Sequence, residues 1–227
     1  MTDNHPFPWT MREIQDATDG KLLCGELRQS FSGVFIDSRK ISRSGVFVAI
    51  IGDVHDGHKF LTDVVAQGVQ GLVVNHDSAA ELPLADWKQK GIACLGVDDT
   101  TRALGALAAF NRRRSNASVV GITGSNGKTT TRQMIASVVS QQFSTLATTG
   151  NLNNQIGLPL TLLRLEPHHQ WAVLELGTNY PGEIARLAQI CEPDIGVITN
   201  IGPAHLEGLG SIEGVAKEKG SLLENMR

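Results

Sequence analysis

Residues 118–141 constrain the fold of this chain more than any other stretch. An apolar, β-branched run (Val119, Val120, Ile122) passes into a glycine-rich turn, Gly121-Ile122-Thr123-Gly124-Ser125-Asn126-Gly127-Lys128-Thr129-Thr130-Thr131. A helix-like pattern follows (Met134, Ile135, Val138, Val139). Strand, glycine loop and helix in that order make a cradle for phosphate. Glycines let backbone N–H groups converge on an anion without Cβ clashes. The helix N-terminus adds the positive end of its dipole, Lys128 a cation for terminal phosphates, and Thr129 a hydroxyl for Mg2+. Five residues, not four, separate Gly121 from Gly127, so the strict GxxxxGK[ST] spacing fails. A purely structural glycine turn is the alternative reading.

Around this loop the chain alternates between strand and helix patterns. In the first half, strands are expected at 33–36, 46–50, 71–74 and 92–97. A helix is expected over 58–66, where Phe60, Leu61, Val64 and Val65 form a stripe. Thr100 or Thr101 N-caps a second helix carrying Leu104, Leu107, Ala108 and Phe110, which ends near Arg112–Arg114. Ser115-Asn116 reads as a domain junction. Beyond it come strand 118–123, a helix to about residue 141, an Asn-rich loop over 150–155 and a short apolar segment over 158–165. Strand 171–176, helix 182–191, strand 195–199 and loop 200–210 follow. A last helix starts near Ser211 and is expected to run through the final residue. This alternation implies an α/β fold with a parallel sheet and ligands at the strands' carboxyl ends.

The 227 residues suit one large domain or two ordinary ones. A net charge of −3 argues against a nucleic-acid binder. The one basic cluster, Arg112-Arg113-Arg114, reads as a solvated helix end. Cys24, Cys94 and Cys191 are far apart in apolar surroundings, as buried free thiols would be. No apolar run approaches membrane-spanning length, and residues 1–6 lack a basic-then-apolar leader, so a soluble cytoplasmic protein is expected.

Several polar residues interrupt this frame. Glu175 sits in the apolar strand Trp171-Ala172-Val173-Leu174-Glu175-Leu176-Gly177, where an unpaired carboxylate would be costly. It suits a Mg2+ ligand, or else a salt-bridged glutamate at a strand edge. His205, in Thr199-Asn200-Ile201-Gly202-Pro203-Ala204-His205, is either a ligand held over the sheet edge or an ordinary loop histidine. Asn151, Asn153 and Asn154 offer amides to substrate oxygens, or simply form turns. Lys217 and Lys219 lie on the last helix, on a solvated face or in the site. Asp37-Ser38-Arg39 ends a strand, and His55-Asp56-Gly57-His58 precedes a helix; both fit ligand contacts, capping or turns.

Taken together, these segments resemble the Mur ligases, ATP-dependent amide-forming enzymes of peptidoglycan precursor synthesis, over nearly the whole chain. The loop Gly124-Ser125-Asn126-Gly127-Lys128-Thr129-Thr130 looks like that family's nucleotide loop, which accounts for the offset Gly121. Gly150-Asn151-Leu152-Asn153-Asn154-Gln155-Ile156-Gly157-Leu158-Pro159-Leu160-Thr161, Glu175-Leu176-Gly177 and Ala204-His205-Leu206-Glu207-Gly208 most resemble the branch that adds D-alanyl-D-alanine to UDP-N-acetylmuramoyl-tripeptide. The branch adding one amino acid usually has Asp-His-Leu-Asp where this chain has Ala204-His205-Leu206-Glu207. Asp37-Ser38-Arg39 and Asp56-Gly57-His58 are similar to the UDP-sugar-binding domain shared by both branches.

The resemblance implies a small mixed α/β UDP-substrate domain (residues 1–115) followed by a P-loop-type parallel-sheet ATPase domain (residues 116–227), truncated. It implies ATP and Mg2+ as cofactors, with Gly124, Ser125, Asn126, Gly127, Lys128, Thr129 and Thr130 around the nucleotide. Lys128 would bind the β- and γ-phosphates, Thr129 and Glu175 the bridging Mg2+, and His205 a second Mg2+. Lys219, in a Glu-Lys-Gly setting, matches the lysine these ligases carbamylate. Asp37, Ser38, Arg39, Asp56, Gly57, His58, Asn151 and Asn154 would contact the UDP-substrate. The implied reaction passes from the tripeptide carboxylate through an acyl phosphate, with release of ADP, to the new amide. The expected partners are UDP-N-acetylmuramoyl-tripeptide and D-alanyl-D-alanine, with no nucleic acid, no membrane insertion and a monomeric state. Family members continue into a C-terminal Rossmann-like domain, so this chain reads as a fragment with an uncovered sheet edge, able to bind and unable to turn over. A single-amino-acid ligase of the same family, a folylpolyglutamate-type ligase and a non-catalytic nucleotide or UDP-sugar module are the alternatives.

Overall fold

The structure, a computed structural model, describes residues 7–52 and 56–227. It divides into two compact units, one running to Leu107 and the other from Ala108 to Arg227.

The first unit opens with a small ribbon. Strand β1 (Trp9–Thr10) leads directly into helix α1 (Met11–Thr18). A capping box starts that helix: Thr10 Oγ1 accepts the Glu13 N–H at 3.2 Å, and Glu13 Oε2 accepts the Thr10 N–H at 2.7 Å. Strand β2 (Lys21–Cys24) follows, then β3 (Ser30–Phe31), which pairs antiparallel with β1, and β4 (Val34–Phe35). Next come β5 (Val46–Val48), helix α2 (Leu61–Ala66) after a 3-10 turn at Gly57–Phe60, β6 (Gly71–Asn75), α3 (Leu84–Gln89) and β7 (Ala93–Val97). The sheet order is β2-β7-β6-β5-β4; β2 runs antiparallel to β7 and the other pairs are parallel. The middle strands are buried on both faces and read as continuous apolar runs. Phe47, Leu72, Val74 and Cys94 pack with Leu61, Val64 and Trp87 from the helices.

Helix α4 (Thr100–Arg114) passes from the first unit into the second. The second unit is an all-parallel sheet of four strands in the order β11-β8-β10-β9. Its elements are β8 (Ser118–Thr123), α5 (Lys128–Val139), β9 (Thr145–Ala147), α6 (Gly157–Leu162), β10 (Trp171–Glu175), α7 (Glu183–Cys191), β11 (Ile195–Ile198), α8 (Leu206–Leu209) and α9 (Ile212–Glu224). Alternate residues of the central strands feed two cores. Val120, Ile122 and Val173 meet Ile135 and Ala136 of α5, while Val119, Ala172 and Leu174 meet Leu158, Leu162, Ile184 and Leu187 of α6 and α7. The strand order reverses beside β8, where open α/β sheets form their ligand crevice.

Three expectations are corrected here. The last helix ends at Glu224 with Asn225 as its cap, so it does not continue to the final residue. The helix after the glycine loop closes at Val139, two residues early. Arg112 is not solvated: it is 1% exposed and donates to the carbonyls of Ala117, Cys191 and Glu192 and to Asp194. Those acceptors lie on the neighbouring turns of the second unit, which a run of three arginines cannot reveal. The cysteines are buried free thiols; burial pushes the Cys191 thiol up to about 12.

Candidate functional site

The glycine loop leaves β8 through Gly124 at φ +149°. A Cβ at this position would lie 1.8 Å from Thr199 Oγ1, so glycine is required by both the backbone and the neighbour. The end of β11 fastens the loop from outside. Thr199 Oγ1 donates to Asn126 O at 2.6 Å, Asn200 Oδ1 accepts the Asn126 N–H at 3.0 Å, and the Ser125 hydroxyl donates to Gly202 O at 2.9 Å. Gly127, at φ +77°, caps α5, whose first residue is Lys128. Lys128 Nζ donates to Gly124 O at 2.8 Å, folding over the loop it follows. Thr129 and Thr130 occupy the first turn, where helical N–H groups have no internal partner. Gly121 lies outside the cradle. It sits within β8 opposite Leu174 and Gly196, and a Cβ there would meet Pro193 at 3.2 Å. Gly121 thus belongs to the strand's tight packing against Pro193 rather than to the phosphate loop.

Glu175 ends β10, opposite Ile122 of β8, and is 3% exposed. Its buried charge is met by several donors. Thr129 Oγ1 donates to Oε2 at 3.0 Å, Asn153 Nδ2 donates to Oε1 at 3.0 Å, and Arg132 Nη1 lies 3.7 Å from Oε2. Arg132, itself buried, also donates to Gly150 O at 3.2 Å. Thr129 and Glu175 offer a hydroxyl and a carboxylate, the hard oxygen donors that suit Mg2+. Among the described residues no group of three or more His, Cys, Asp or Glu is placed to hold a metal. A divalent cation held by Thr129 and Glu175 would need further ligands, of the kind that phosphate and water supply to Mg2+ in nucleotide sites.

Beside this pair opens a cavity of about 470 Å³ lined by Lys128, Asn151, Asn154, Thr178, Arg186 and His205, among others. The Asn-rich loop is partly committed to its own fold. Asn153 holds Glu175, and Asn154 Oδ1 accepts the N–H groups of Ile156 and Gly157 at the start of α6. His205 is exposed at the N-cap of α8 with φ +53°, a left-handed conformation that costs a non-glycine residue energy. On α9, Lys217 is exposed while Lys219 is 1% exposed. Burial, with Lys128 nearby, brings the Lys219 amine down to about 8, against the opposing pull of Glu218. Glu218 is buried too, and accepts from Thr178 Oγ1 at 3.1 Å, the Gly182 N–H at 2.7 Å and the Ile184 N–H at 2.8 Å. It thus pins the start of α7 and the cavity wall to α9.

In the first unit a second cavity, about 870 Å³, is lined by Ile36, Asp37, Ser38, Arg39, Gly57 and Phe60, among others. The Arg39 guanidinium donates to both Asp37 oxygens, at 2.9 and 3.0 Å, and holds that carboxyl down to about 2. Asp56 and His58 serve each other. Asp56 Oδ1 accepts the His58 N–H and meets His58 Nδ1 at 2.7 Å, while His58 Nε2 accepts the Asn75 N–H at 2.9 Å. That last bond places the ring proton on Nδ1, facing the carboxylate. Neither residue lines the cavity, whereas Gly57 does. His55 lies outside the described residues.

The structure thus gathers Gly124–Thr130, Glu175, Asn151, Asn154 and His205 around one crevice of the second unit, with Lys219 close enough to Lys128 to feel its charge. Sequence reasoning passed over Arg132 and set Glu218, with Glu213, on the solvated face offered as the alternative for this helix, whereas Glu218 is 5% exposed. Arg132 lies one helical turn after Lys128, which puts it on the same face of α5 and was legible as a spacing. Glu218 carried no comparable signal, because its partners are backbone amides distant in sequence.

Comparison with known proteins agrees with this geometry. Residues 30–112 match the family described as "Mur ligase family, catalytic domain" and residues 122–227 match "Mur ligase middle domain". The chain is 40% identical over 217 residues to the UDP-N-acetylmuramoyl-tripeptide–D-alanyl-D-alanine ligase of Escherichia coli, covering 96% of this chain and 45% of that protein. Among solved structures it superposes on MurF from Acinetobacter baumannii with a TM-score of 0.87 at 39% identity, covering 98% of this chain and 47% of that one. It also superposes on MurF ligase from Thermotoga maritima in complex with ADP, with a TM-score of 0.76 at 29% identity over 86% of this chain and 43% of that one. The chain spans about half the length of the curated relatives it matches. With two Mur ligase domains matched in succession along it, and a nucleotide-type loop and acidic strand end in the second, the chain belongs to the Mur ligase family.

Proposed function

We propose that this chain supplies the UDP-substrate domain (residues 1–115) and ATP-binding domain (residues 116–227) of a ligase in peptidoglycan precursor synthesis. The ligase would be ATP-dependent and ADP-forming, and would join D-alanyl-D-alanine to UDP-N-acetylmuramoyl-tripeptide. The observation that carries the reading is the Thr129–Glu175 pair at 3.0 Å, set at the mouth of the glycine loop beside an amide-lined cavity. The names of the related proteins support the D-alanyl-D-alanine branch. A cytoplasmic monomer is part of the same proposal; no helix among the described residues is long and apolar enough to cross a membrane.

On this reading each side chain has a task. Lys128 exchanges Gly124 O for a phosphate oxygen and offsets charge that develops there. The loop N–H groups and the start of α5 hold the phosphate chain in line. Thr129 and Glu175 hold Mg2+, with His205 and a carbamylated Lys219 reserved for a second ion. Mg2+, when bound, supplies positive charge to the phosphoryl group in transfer. Asn151 and Asn154 position the acyl substrate in the cavity, and Asp37, Ser38 and Arg39 contact its UDP-sugar end. Catalysis of this type is positioning and electrostatics, so exclusion of water from the acyl phosphate is essential.

The test is ADP release by the protein that carries this chain, measured with each substrate omitted in turn. Release that requires both UDP-tripeptide and D-alanyl-D-alanine is expected, and a single amino acid should not replace the dipeptide. ATP hydrolysis indifferent to both substrates overturns the proposal.

A further inference from the structure

Arg132 is a buried charge beside the proposed metal ligands to which the proposed reaction gives no task. It is 6% exposed and sits one turn beyond Lys128 on α5. Its position is fixed by a 3.2 Å bond to Gly150 O, at the head of the Asn-rich loop. From there Nη1 lies 3.7 Å from Glu175 Oε2, the oxygen that also accepts from Thr129. A guanidinium stays protonated at any physiological pH, so this positive charge cannot be switched off. The carboxylate proposed to hold a metal already has a permanent counter-cation.

That arrangement bears on how a divalent ion can enter. An ion arriving alone finds two protein ligands, Thr129 and Glu175, with Arg132 and Lys128 close by. Among the described residues no group of three or more His, Cys, Asp or Glu is placed to hold a metal by itself. Repulsion between like charges in a buried site is strong, because little water screens it. A nucleotide on the loop changes both quantities at once: its phosphates supply the missing oxygen ligands and outweigh the two resident cations. Metal and nucleotide affinities are then coupled, and the coupling is reciprocal.

We propose that Arg132 is a positioning residue that holds Glu175 as a resident counter-ion and closes the Thr129–Glu175 pair to free divalent cations, so that metal enters only together with nucleotide phosphates. The inference rests on the reading of Thr129 and Glu175 as metal ligands. It assigns Arg132 no contact with substrate. Its effect is exerted through Glu175 and, by way of Gly150, through the loop that lines the cavity.

The experiment is a Mn2+ titration of this chain followed by electron paramagnetic resonance, with and without ADP. The wild-type chain should bind Mn2+ with ADP at least about tenfold more tightly than without it. Arg132→Gln removes the charge while keeping a donor for Gly150 O. It should tighten binding of Mn2+ alone by about tenfold or more and narrow the gap between the two conditions. Arg132→Lys draws the charge back from Oε2 and should give a smaller change in the same direction. It carries the test if the glutamine variant does not fold. Binding of Mn2+ alone that is unchanged in the folded variants overturns the inference, as does wild-type binding that is equally tight with and without ADP. A wild-type chain that binds no Mn2+ even with ADP overturns instead the underlying reading of the loop as a metal–nucleotide site.

Discussion

Arg112 donates to Asp194 Oδ2 at 2.9 Å, across 82 residues of sequence. The same oxygen accepts the Val119 N–H at 2.7 Å, so this pair ties the end of α4 to the first turn of β8 and to the approach to β11. Three more guanidinium hydrogens go to the carbonyls of Ala117, Cys191 and Glu192. Burial pulls the Arg112 pKa down and Asp194 pulls it back up. Arg112→Met leaves these acceptors and a carboxylate without their cation. We expect a loss of about 1–3 kcal/mol in urea denaturation, the usual penalty for buried acceptors left without a donor, since Asp194 itself stays in reach of water. Arg112→Lys should recover little, because an ammonium cannot spread its donors over four acceptors.

Gly124→Ala should cost nucleotide binding more than stability. The new methyl falls on Thr199 Oγ1 and the backbone remains at φ +149°, so the loop must move away from the end of β11. Calorimetric titration with ADP should show affinity falling by at least about tenfold, in line with 1–3 kcal/mol of backbone strain. Gly127→Ala adds a methyl in open space at φ +77° and should cost less.

Lys219 should take up carbon dioxide under mild conditions. With its pKa at about 8, a substantial fraction of the amine is neutral just above neutrality, and the neutral form is the one that attacks CO2. Nuclear magnetic resonance in 13C-bicarbonate should show a carbamate signal that grows as pH rises through 8 and is missing in Lys219→Arg. A spectrum identical in the two proteins would remove Lys219 from the proposed site.

Glu218→Ala should loosen the start of α7. The N–H groups of Gly182 and Ile184 lose their acceptor, whereas the Thr178 hydroxyl keeps Tyr180 O at 2.9 Å. We expect about 1–3 kcal/mol of destabilisation, the usual penalty for orphaned buried donors. Hydrogen exchange at Gly182 and Ile184 should accelerate more than exchange in the β8 strand.

Cys191 gives an alkaline limit. Its folded pKa of about 12 lies above the ordinary 9.0, so the unfolded chain releases its proton first as pH rises. The thiol's contribution to stability is whole below pH 9.0 and drains away as pH climbs towards 12. Urea midpoints measured between pH 8 and pH 11 should fall more steeply for the wild-type chain than for Cys191→Ala. The thiol should also resist alkylation in the folded protein at pH 8.

Most of the second unit was legible because its signals are local. The apolar run of β8, the glycines behind it and the stripe of α5 sit within about two dozen consecutive residues, and the loop chemistry follows from them. The ribbon and helix at the start of the first unit were missed: two-residue strands leave no periodicity to read. Thr10 and Glu13 stand at capping-box spacing, a local signal for α1 that went unread. Strand β9 and helix α8 are likewise too short to register. Arg112 was misread because its acceptors arrive from distant turns, and a triple arginine looks the same in solvent as in a core. Glu175 was the opposite case. Its isolation among apolar neighbours announced partners, though nothing local could say that Thr129, Asn153 and Arg132 would be the ones to meet it.

The bond from Lys128 to Gly124 O has a consequence for affinity. A lysine free in solvent surrenders roughly 1.5–2 kcal/mol of conformational entropy when it is fixed. Here the tether has already restricted those torsions during folding, before any anion is present. Arrival of a phosphate then swaps one oxygen partner for another, with the side chain's order largely retained. Such a loop behaves as a latch set in advance, and discrimination rests on whether the incoming oxygen is a better partner than the carbonyl it displaces. Anions with full negative charge pass that comparison; neutral oxygens do not.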